Sequence, residues 1–425
     1  MTSLFDALSC ADDYDPNSLP VERARQLILS LVEPATGCER VFVRQALDRV
    51  LAADVIAPLD VPAHDNSAMD GYAIRAADLA ESGESRLTIV GSAFAGHPYS
   101  GTLREGEAIR IMTGAVVPEG ADAIVIQEVV RLEGEQLVIP PGQKKGQNLR
   151  RAGEDLRAGE IALRAGKLLR PAEIGLLASL GQAEVSIHRR LRVAMFSTGD
   201  ELVSLGQPLA GGEIYDSNRY SMWGMLTRLG CEVIDMGVIR DDPAALEAAL
   251  LEAAGHADAI LSSGGVSVGD ADFIRDLMGK LGEVAFWKIA MKPGRPMAFG
   301  RIGTARNGAW LFGLPGNPVA TMVSFYQFVR PALLRMMGLP LEATTLPLLR
   351  VPCGDTLKKG RGRTEFQRGT LYCENGEWRV KATGAQGSGI LRSMAEANCF
   401  IVLGPESTGA AAGDRVEVQL MEGVV

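Results

Sequence analysis

Two hydroxyls and two glycines end a short apolar run at "ILSSGGVSVGDADF", residues 260–273. Ser262, Ser263, Gly264, Gly265 and Ser267 form the kind of loop whose backbone N–H groups and hydroxyls cup an anion. Asp270 and Asp272 lie in the same loop and would repel that anion. A divalent cation between the two charges removes the conflict, because Mg²⁺ is held by a few carboxylates, waters and ligand phosphates. More acids follow apolar runs elsewhere: Asp200 and Glu201 after "RVAMF", and Asp241 after "MGVI". Positive charge comes from "FWKIAMKPGRP", with Lys288, Lys292 and Arg295. As one strand over 286–292, this run places Lys288, Ala290 and Lys292 on one face and turns Trp287, Ile289 and Met291 into a core. The lysines then stand roughly 13 Å apart, a spacing for an elongated anion or two anionic groups.

Other polar runs are candidates of the same kind. "LDVPAHDNSAMDGYAIR" holds Asp65 and Asp70 just before a β-rich stretch, and Thr113 follows "RIM". Asp155 in "RRAGEDL" has Arg150 and Arg151 within reach as ion-pair partners. In the tail, "KKGRGRTEFQRG" concentrates cations that include Arg368, whose planar fork matches tetrahedral oxyanions, and "GAQGSGI" sets Ser388 between bare amides. Each segment alone reads more readily as structural loop chemistry than as a site, only their convergence points to function, and Asp242 reads better as a helix cap than as a ligand. There is no Walker lysine and no G-x-G-x-x-G, so a standard nucleotide fingerprint is absent.

The elements that must position these groups alternate strand and helix from about 185 to 338. "RVAMF", "CEVIDMGVI", "DAILSS", "EVAFWKIAM" and "AWLFGLP" read as strands. A helix opened by Asp216 and ended by Gly230, one with Asp242 as cap and Pro243 at its first position, and "DFIRDLMGKLG" read as helices. A long helix from Asn317 to Met337 is expected to kink at Pro331. Such alternation predicts an open, largely parallel sheet covered on both faces. In such sheets ligands bind outside the carboxyl ends of the strands, where Glu201, Asp241, the 262–272 loop and Pro315 would share one rim. Residues 57–150 read as short β runs cut by Gly and Pro. "RPAEIGLLASLG" reads as a helix from Pro171 to Gly181. Beyond Leu339 helices are expected to stop, with "GTLYCENGEWRVKAT" turning at Asn375-Gly376 and "CFIVLG" and "DRVEVQL" as further strands.

The chain has 425 residues, enough for about three domains. Lys plus Arg number 43 against 52 Asp plus Glu, a mildly acidic balance that argues against nucleic-acid or membrane-surface partners. Six scattered cysteines without C-x-x-C, and four distant histidines, argue against a zinc cage or a disulfide framework. With no signal-peptide pattern at "MTSLFDALSC" and no long apolar run, a cytoplasmic location is expected.

The motifs in order resemble one family, the MoeA molybdopterin molybdenumtransferases, related to one part of gephyrin. The matching segments are "DVPAHDNSAMDGYAIR", "RIMTGAVVPEGADAIVIQE", "RRAGEDLRAGE", "FSTGDELV", "IYDSNR", "GVIRDDP", "SSGGVSVGDADF", "WKIAMKPGRPMAFG", "GLPGNPVA", "EFQRG" and "QGSGI". The resemblance implies an enzyme that accepts adenylylated molybdopterin and molybdate, inserts molybdenum at the dithiolene sulfurs and releases AMP with Mg²⁺. It also implies a homodimer with an elongated, discontinuous N-terminal domain (1–56 and 151–184) and a β-rich second domain (57–150). An adenylyltransferase-like α/β domain (185–338) and a C-terminal β barrel (339–425) complete the implied chain. The active cleft would lie between the α/β domain of one subunit and the second domain of the other. The family's functional positions fall on Asp70, Thr113, Asp155, Glu201, Asp241, Asp272, Lys288, Lys292, Arg368 and Ser388. Asp70, Glu201, Asp241 and Asp272 would organise Mg²⁺ and the adenylate phosphate, with Glu201, Asp241 and Asp272 as the metal's ligands; Lys288 and Lys292 would hold anionic ligand groups, and Lys292, Arg295, Arg368 and Ser388 resemble the molybdate pocket. Two departures stand out: Arg295 where members often have Lys, and Ala320 where many have Ser. A sister enzyme that adenylylates molybdopterin, or a non-catalytic scaffold, are the rival readings.

Overall fold

The structure, a computed structural model, describes residues 18–35, 37–264, 277, 279–304 and 308–421. The chain divides into two compact units, one of Arg40–Leu47 with Ala53–Ser186 and the other of Met1–Glu39, Asp48–Ala52 and Ile187–Val425.

The first unit is built on a six-stranded sheet of Gly71–Ile74 (β1), Ser85–Ala93 (β2), Glu107–Ile111 (β3), Ala123–Ile126 (β4), Arg131–Glu133 (β5) and Gln136–Ile139 (β6). The strand order is β4-β1-β3-β2-β6-β5. Only the β2–β3 pair is parallel. Alternate residues serve opposite faces. Tyr72 and Ile74 pack with Leu87 and Val125, while Ala73 packs with Ile109 and Ile124. All four residues of β1 are therefore buried. Gly71 is required at its start, because a Cβ there would collide with the Val125 carbonyl. The helix read after Pro171 is present as Pro171–Ser179, and Gly181 follows with φ +69°.

The second unit opens with helix α1 (Val21–Leu31). Its α/β part holds β7 (Arg192–Thr198), helix α2 (Ser217–Arg228), β8 (Glu232–Ile239), helix α3 (Pro243–His256) and β9 (Ala259–Ser263). It continues with β10 (Gly282–Lys288), β11 (Met291–Lys292), β12 (Pro296–Gly303) and β13 (Gly308–Leu314). The sheet order is β8-β7-β9-β13-β12-β10. The first four strands are parallel, β12 runs antiparallel to β13, and β10, antiparallel to β12, points the same way as the first four. β12, whose run "PMAFGRIG" escaped the sequence reading, adds the strand that reverses direction. Both faces are covered. Val193, Met195, Leu261 and Phe312 pack with Met222 and Leu226 of α2 and Ile28 of α1; Ala194, Phe196, Ile260 and Leu311 pack with Leu250 and Ala253 of α3. Of the expected helix "DFIRDLMGKLG", most residues lie outside the described ones.

Three expectations are corrected. The run 286–292 is not one strand: β10 ends at Lys288 and β11 belongs to a different sheet. Between them, Leu19 N–H donates to Lys288 O (2.9 Å), Ala290 N–H to Leu19 O (2.9 Å) and Thr364 N–H to Ala290 O (2.9 Å), so the chain leaves one sheet for the other. Trp287, Ile289 and Met291 are nevertheless all buried. The helix 317–337 is likewise interrupted before Pro331. A helix α4 (Pro318–Ser324) widens into a π turn over Phe325–Val329, in which Arg330 N–H bonds Phe325 O, before α5 (Arg330–Met336). Pro331 offers no N–H to the carbonyl of Gln327 four residues earlier. Arg25 of α1 supplies the donor, with Nε 3.2 Å from Gln327 O and Nη2 2.8 Å from Gln327 Oε1. Gln327 Nε2 in turn donates to Gln419 Oε1 at 2.6 Å. Finally, helices do not stop at Leu339, since short ones occupy Leu341–Thr344 and Leu391–Ala395.

The tail strands are β14 (Leu348–Pro352), β15 (Thr364–Glu374), β16 (Glu377–Ala382), β17 (Cys399–Leu403) and β18 (Arg415–Leu420). They pair in the order β11-β15-β17-β18-β14, with β16 beside β15. A bridge from Cys353 to Val380 brings the β14 edge to β16, so the pairing returns on itself around Val351, Val380, Ile401 and Val418. The β15–β16 turn has Asn375 at φ +51° and Gly376 at φ +81°, the primed geometry read from that dipeptide.

Arg25→Met keeps the aliphatic stem but strands the Gln327 carbonyl. Its expected cost is about 1–3 kcal/mol of unfolding free energy, read by urea denaturation; an unchanged midpoint would remove Arg25 from this role.

Candidate active site

Because β8, β7, β9 and β13 are parallel and stay paired to their carboxyl ends, the ends at Ile239, Thr198, Ser263 and Leu314 fall on one edge of the sheet. A cavity of about 760 Å³ opens there. Its wall includes Glu201, Asp241, Ser263, Gly264, Lys292, Arg295, Pro315, Ala320 and Ser388. The sequence reading placed these residues at several loops, and this unit brings them together.

The floor is close-packed. Gly264 sits at φ +89°, and a Cβ on it would stand 2.5 Å from Thr198 O. Asn218 Nδ2 donates to Ser263 Oγ (2.6 Å) and to Gly316 O (2.7 Å), tying α2 to two strand ends. Thr321 Oγ1 donates to Pro315 O at 2.6 Å. Ser262 is buried within the strand and is not on the wall. Asp216 caps α2 by accepting Arg219 N–H (3.1 Å) and also accepts Ser197 Oγ–H (3.0 Å). Asp242 caps α3 through Ala245 N–H (2.9 Å), as its position implied.

The acids form one side. Glu201 and Asp241 face the cavity, while Asp200 Oδ1 accepts the Asp241 N–H at 3.5 Å and is not on the wall. Among the described residues no three His, Cys, Asp or Glu side chains cluster as a preformed cage. Two carboxylates that leave positions for water and phosphate oxygens are nonetheless a hard-oxygen donor set of the kind Mg²⁺ uses. Asp272, Asp270, Gly265 and Ser267 lie outside the described residues.

The cations form the other side. Lys292 Nζ stands 3.4 Å from Glu365 Oε1. Arg295 Nε is buried without a hydrogen-bond partner, although Arg295 lines the cavity. Lys288 ends β10, in the other sheet, and is not on the wall. Arg368 is 1% exposed and lies beneath the wall rather than on it. It donates from Nε to Ser393 Oγ (3.0 Å) and from Nη2 to Gly387 O (2.9 Å). Burial with no carboxylate partner pulls its pKa down to about 10. The loop it grips presents Ser388, whose carbonyl accepts Val319 N–H of α4 at 3.0 Å. Arg363, one of the cations of the run "KKGRGRTEFQRG", is on the wall as well, whereas Thr198, Asn218 and Gln386, also on it, were not singled out from sequence. Neutral side chains such as Thr198 and Asn218 leave no charge pattern to read.

The other unit holds a separate pair. Asp70 precedes β1 and Thr113 follows the neighbouring β3, and Asp70 Oδ1 accepts both the N–H (2.8 Å) and the Oγ1–H (2.7 Å) of Thr113. The backbone bond first, and then the hydroxyl bond, hold the Asp70 carboxyl below the usual range. Asp65 accepts Ala152 N–H (2.8 Å) and pairs with Arg151 (2.5 Å). Arg151 is therefore not the partner of Asp155, which contributes its backbone N–H to Val61 O at 3.0 Å and is exposed.

Three family models match in sequence: the MoeA N-terminal region (domain I and II) over residues 19–181, a probable molybdopterin binding domain over 194–335, and the MoeA C-terminal region (domain IV) over 350–421. A Haemophilus influenzae protein named molybdopterin molybdenumtransferase is 43% identical over 94% of this chain and 98% of its own. One of that name from Nostoc is 38% identical over 87% of this chain and 86% of its own. The crystal structure of a molybdopterin biosynthesis moeA protein from Pyrococcus horikoshii superposes with a TM-score of 0.81 at 30% identity, covering 95% of this chain and all of that one. The chain therefore belongs to the MoeA family of molybdopterin molybdenumtransferases.

Proposed function

We propose that the protein inserts molybdenum during molybdenum cofactor assembly: it accepts adenylylated molybdopterin and molybdate, transfers molybdenum to the dithiolene sulfurs and releases AMP. The observation that supports this reading best is one cavity whose wall carries Glu201, Asp216 and Asp241 together with Lys292, Arg295 and Arg363 and includes the Gly264 turn. Arg295 lines the cavity with Lys292, and a guanidinium fork suits a tetrahedral oxyanion. Gly264 leaves the floor without a side chain where the backbone of the loop must approach a phosphate.

In this reading Lys292, Arg295 and Ser388 bind and orient the oxyanion. Arg368 acts through the loop it holds. Ser263 and Gly264 receive the phosphate half of the substrate, with Gly265 and Ser267 carried over from the family pattern. Glu201 and Asp241, with Asp272, would hold Mg²⁺. A divalent ion held by these carboxylates would supply positive charge beside the phosphate groups. Preset amides and cations need no reorganisation as charge develops, which is where such sites gain rate. Asp70, Thr113 and Asp155 belong to the same proposed reaction, and a homodimer is its proposed assembly. Among the described residues no helix is long and apolar enough to cross a membrane.

In a single-turnover assembly assay, Lys292→Met and Glu201→Gln are expected to lower the rate by about 10²-fold or more while melting as the parent does. Parental rates from both folded variants would end the assignment, and turnover with ATP and molybdopterin in its place would move the protein one step earlier. For the exposed Asp70, the depressed pKa means a stabilising contribution present above the unfolded value and lost as pH falls through the folded one. Thr113→Val is expected to raise the Asp70 titration midpoint observed by NMR; an unmoved midpoint would mean that the hydroxyl does not hold the carboxylate.

A further inference from the structure

Glu365 is an acid in a place where an acid costs binding energy. It is 7% exposed on β15, directly opposite Lys292 of β11 in the strand register, and its Oε1 lies 3.4 Å from Lys292 Nζ. Its other oxygen accepts Gln367 Nε2 at 3.0 Å, and the same nitrogen donates to Lys358 O at 3.0 Å. Gln367 therefore fixes the carboxylate rather than merely touching it. A second cation stands by: Lys359 is held by the carbonyls of Gly360 (2.8 Å), Ser407 (3.0 Å) and Pro405 (3.3 Å). Desolvation lowers the Lys359 pKa, and the negative charge of Glu365 works against that fall.

We propose that Glu365 is a specificity-determining counter-charge of the oxyanion subsite, which a tetrahedral dianion must displace to take Lys292. This inference rests on the oxyanion reading of the cavity. A buried carboxylate deprived of all cations would be costly, but Lys359 remains in its field when Lys292 turns to a ligand. The exchange is thus open to a ligand that also gains from Arg295 and Ser388. A monoanion, or an anion of the wrong shape, gains less and leaves the lysine with Glu365. Holding the dianion loosely also suits a site that passes it on, since binding substrate and transition state equally tightly does not speed a reaction.

The test is calorimetric binding of molybdate, with sulfate as an inert dianion and nitrate as a monoanion, to the full chain. Glu365→Gln is expected to bind molybdate about tenfold more tightly and to narrow the preference for dianions over nitrate, while kcat does not rise with the fall in KM. Lys359→Met, which leaves Glu365 with Lys292 alone, is expected to weaken molybdate severalfold, so the two variants move in opposite directions. A purely structural Glu365 would lower the melting temperature without tightening any anion. If the parent binds molybdate and Glu365→Gln binds it no better, the inference falls and the reading of the cavity stands. Should Glu365→Gln fail to fold, an unchanged affinity in Lys359→Met overturns it. A parent protein that takes up no oxyanion removes both.

Discussion

The parallel pairing of four strands out to their carboxyl ends is the constraint on which the site depends. Ser197 lies beside Ser263, and Ser263 beside Leu314, so three chain segments distant in sequence must turn at the same level. Turning there requires close approach of backbones. Gly264 can only be glycine against Thr198 O, and Asn218 stitches Ser263 to Gly316. Removing that pairing would scatter Glu201, Asp241 and Ser388 over loops with nothing in common.

Charge is then distributed by sheet rather than by loop. The acids come from the carboxyl ends of β7 and β8, and the cations from the crossing between the two sheets of the same unit. Lys292 reaches the wall because the chain abandons β10 at Lys288 and joins β15 two residues later. Where a cation is buried instead, as Arg368 is, it has no carboxylate, is bonded to a hydroxyl and carbonyls, and serves to hold a loop. A buried guanidinium so bonded is a positional device, because its donors hold Ser393 Oγ and the carbonyls of Ala385 and Gly387 at once.

Strands, caps and turns were legible from residue patterns wherever a local rule decides them. Asp216 and Asp242 cap their helices, and Asn375-Gly376 turns as its dipeptide demands. The shared rim was legible too, since crossover helices force parallel strands. What escaped was set by long-range contacts. No local signal in "WKIAMK" tells that Leu19 and Thr364 will claim the hydrogen bonds of residues 288–290. Pro331 marked an irregularity, but its form depended on Arg25, some 300 positions away in sequence. Arg151 was drawn to Asp65 rather than to its near neighbour Asp155 for the same reason: exposed charges pair by spatial proximity, and sequence proximity is a weak guide to it. Arg368 was read as a contact because its charge is visible in sequence and its burial is not.

The most direct measurement is diffraction at the molybdenum absorption edge from crystals equilibrated with molybdate. The expected result is an anomalous peak within hydrogen-bonding reach of Lys292, Arg295 and Ser388. A well-occupied molybdate elsewhere, with that corner of the cavity bare, would contradict the central claim that these strand ends form an oxyanion-receiving site.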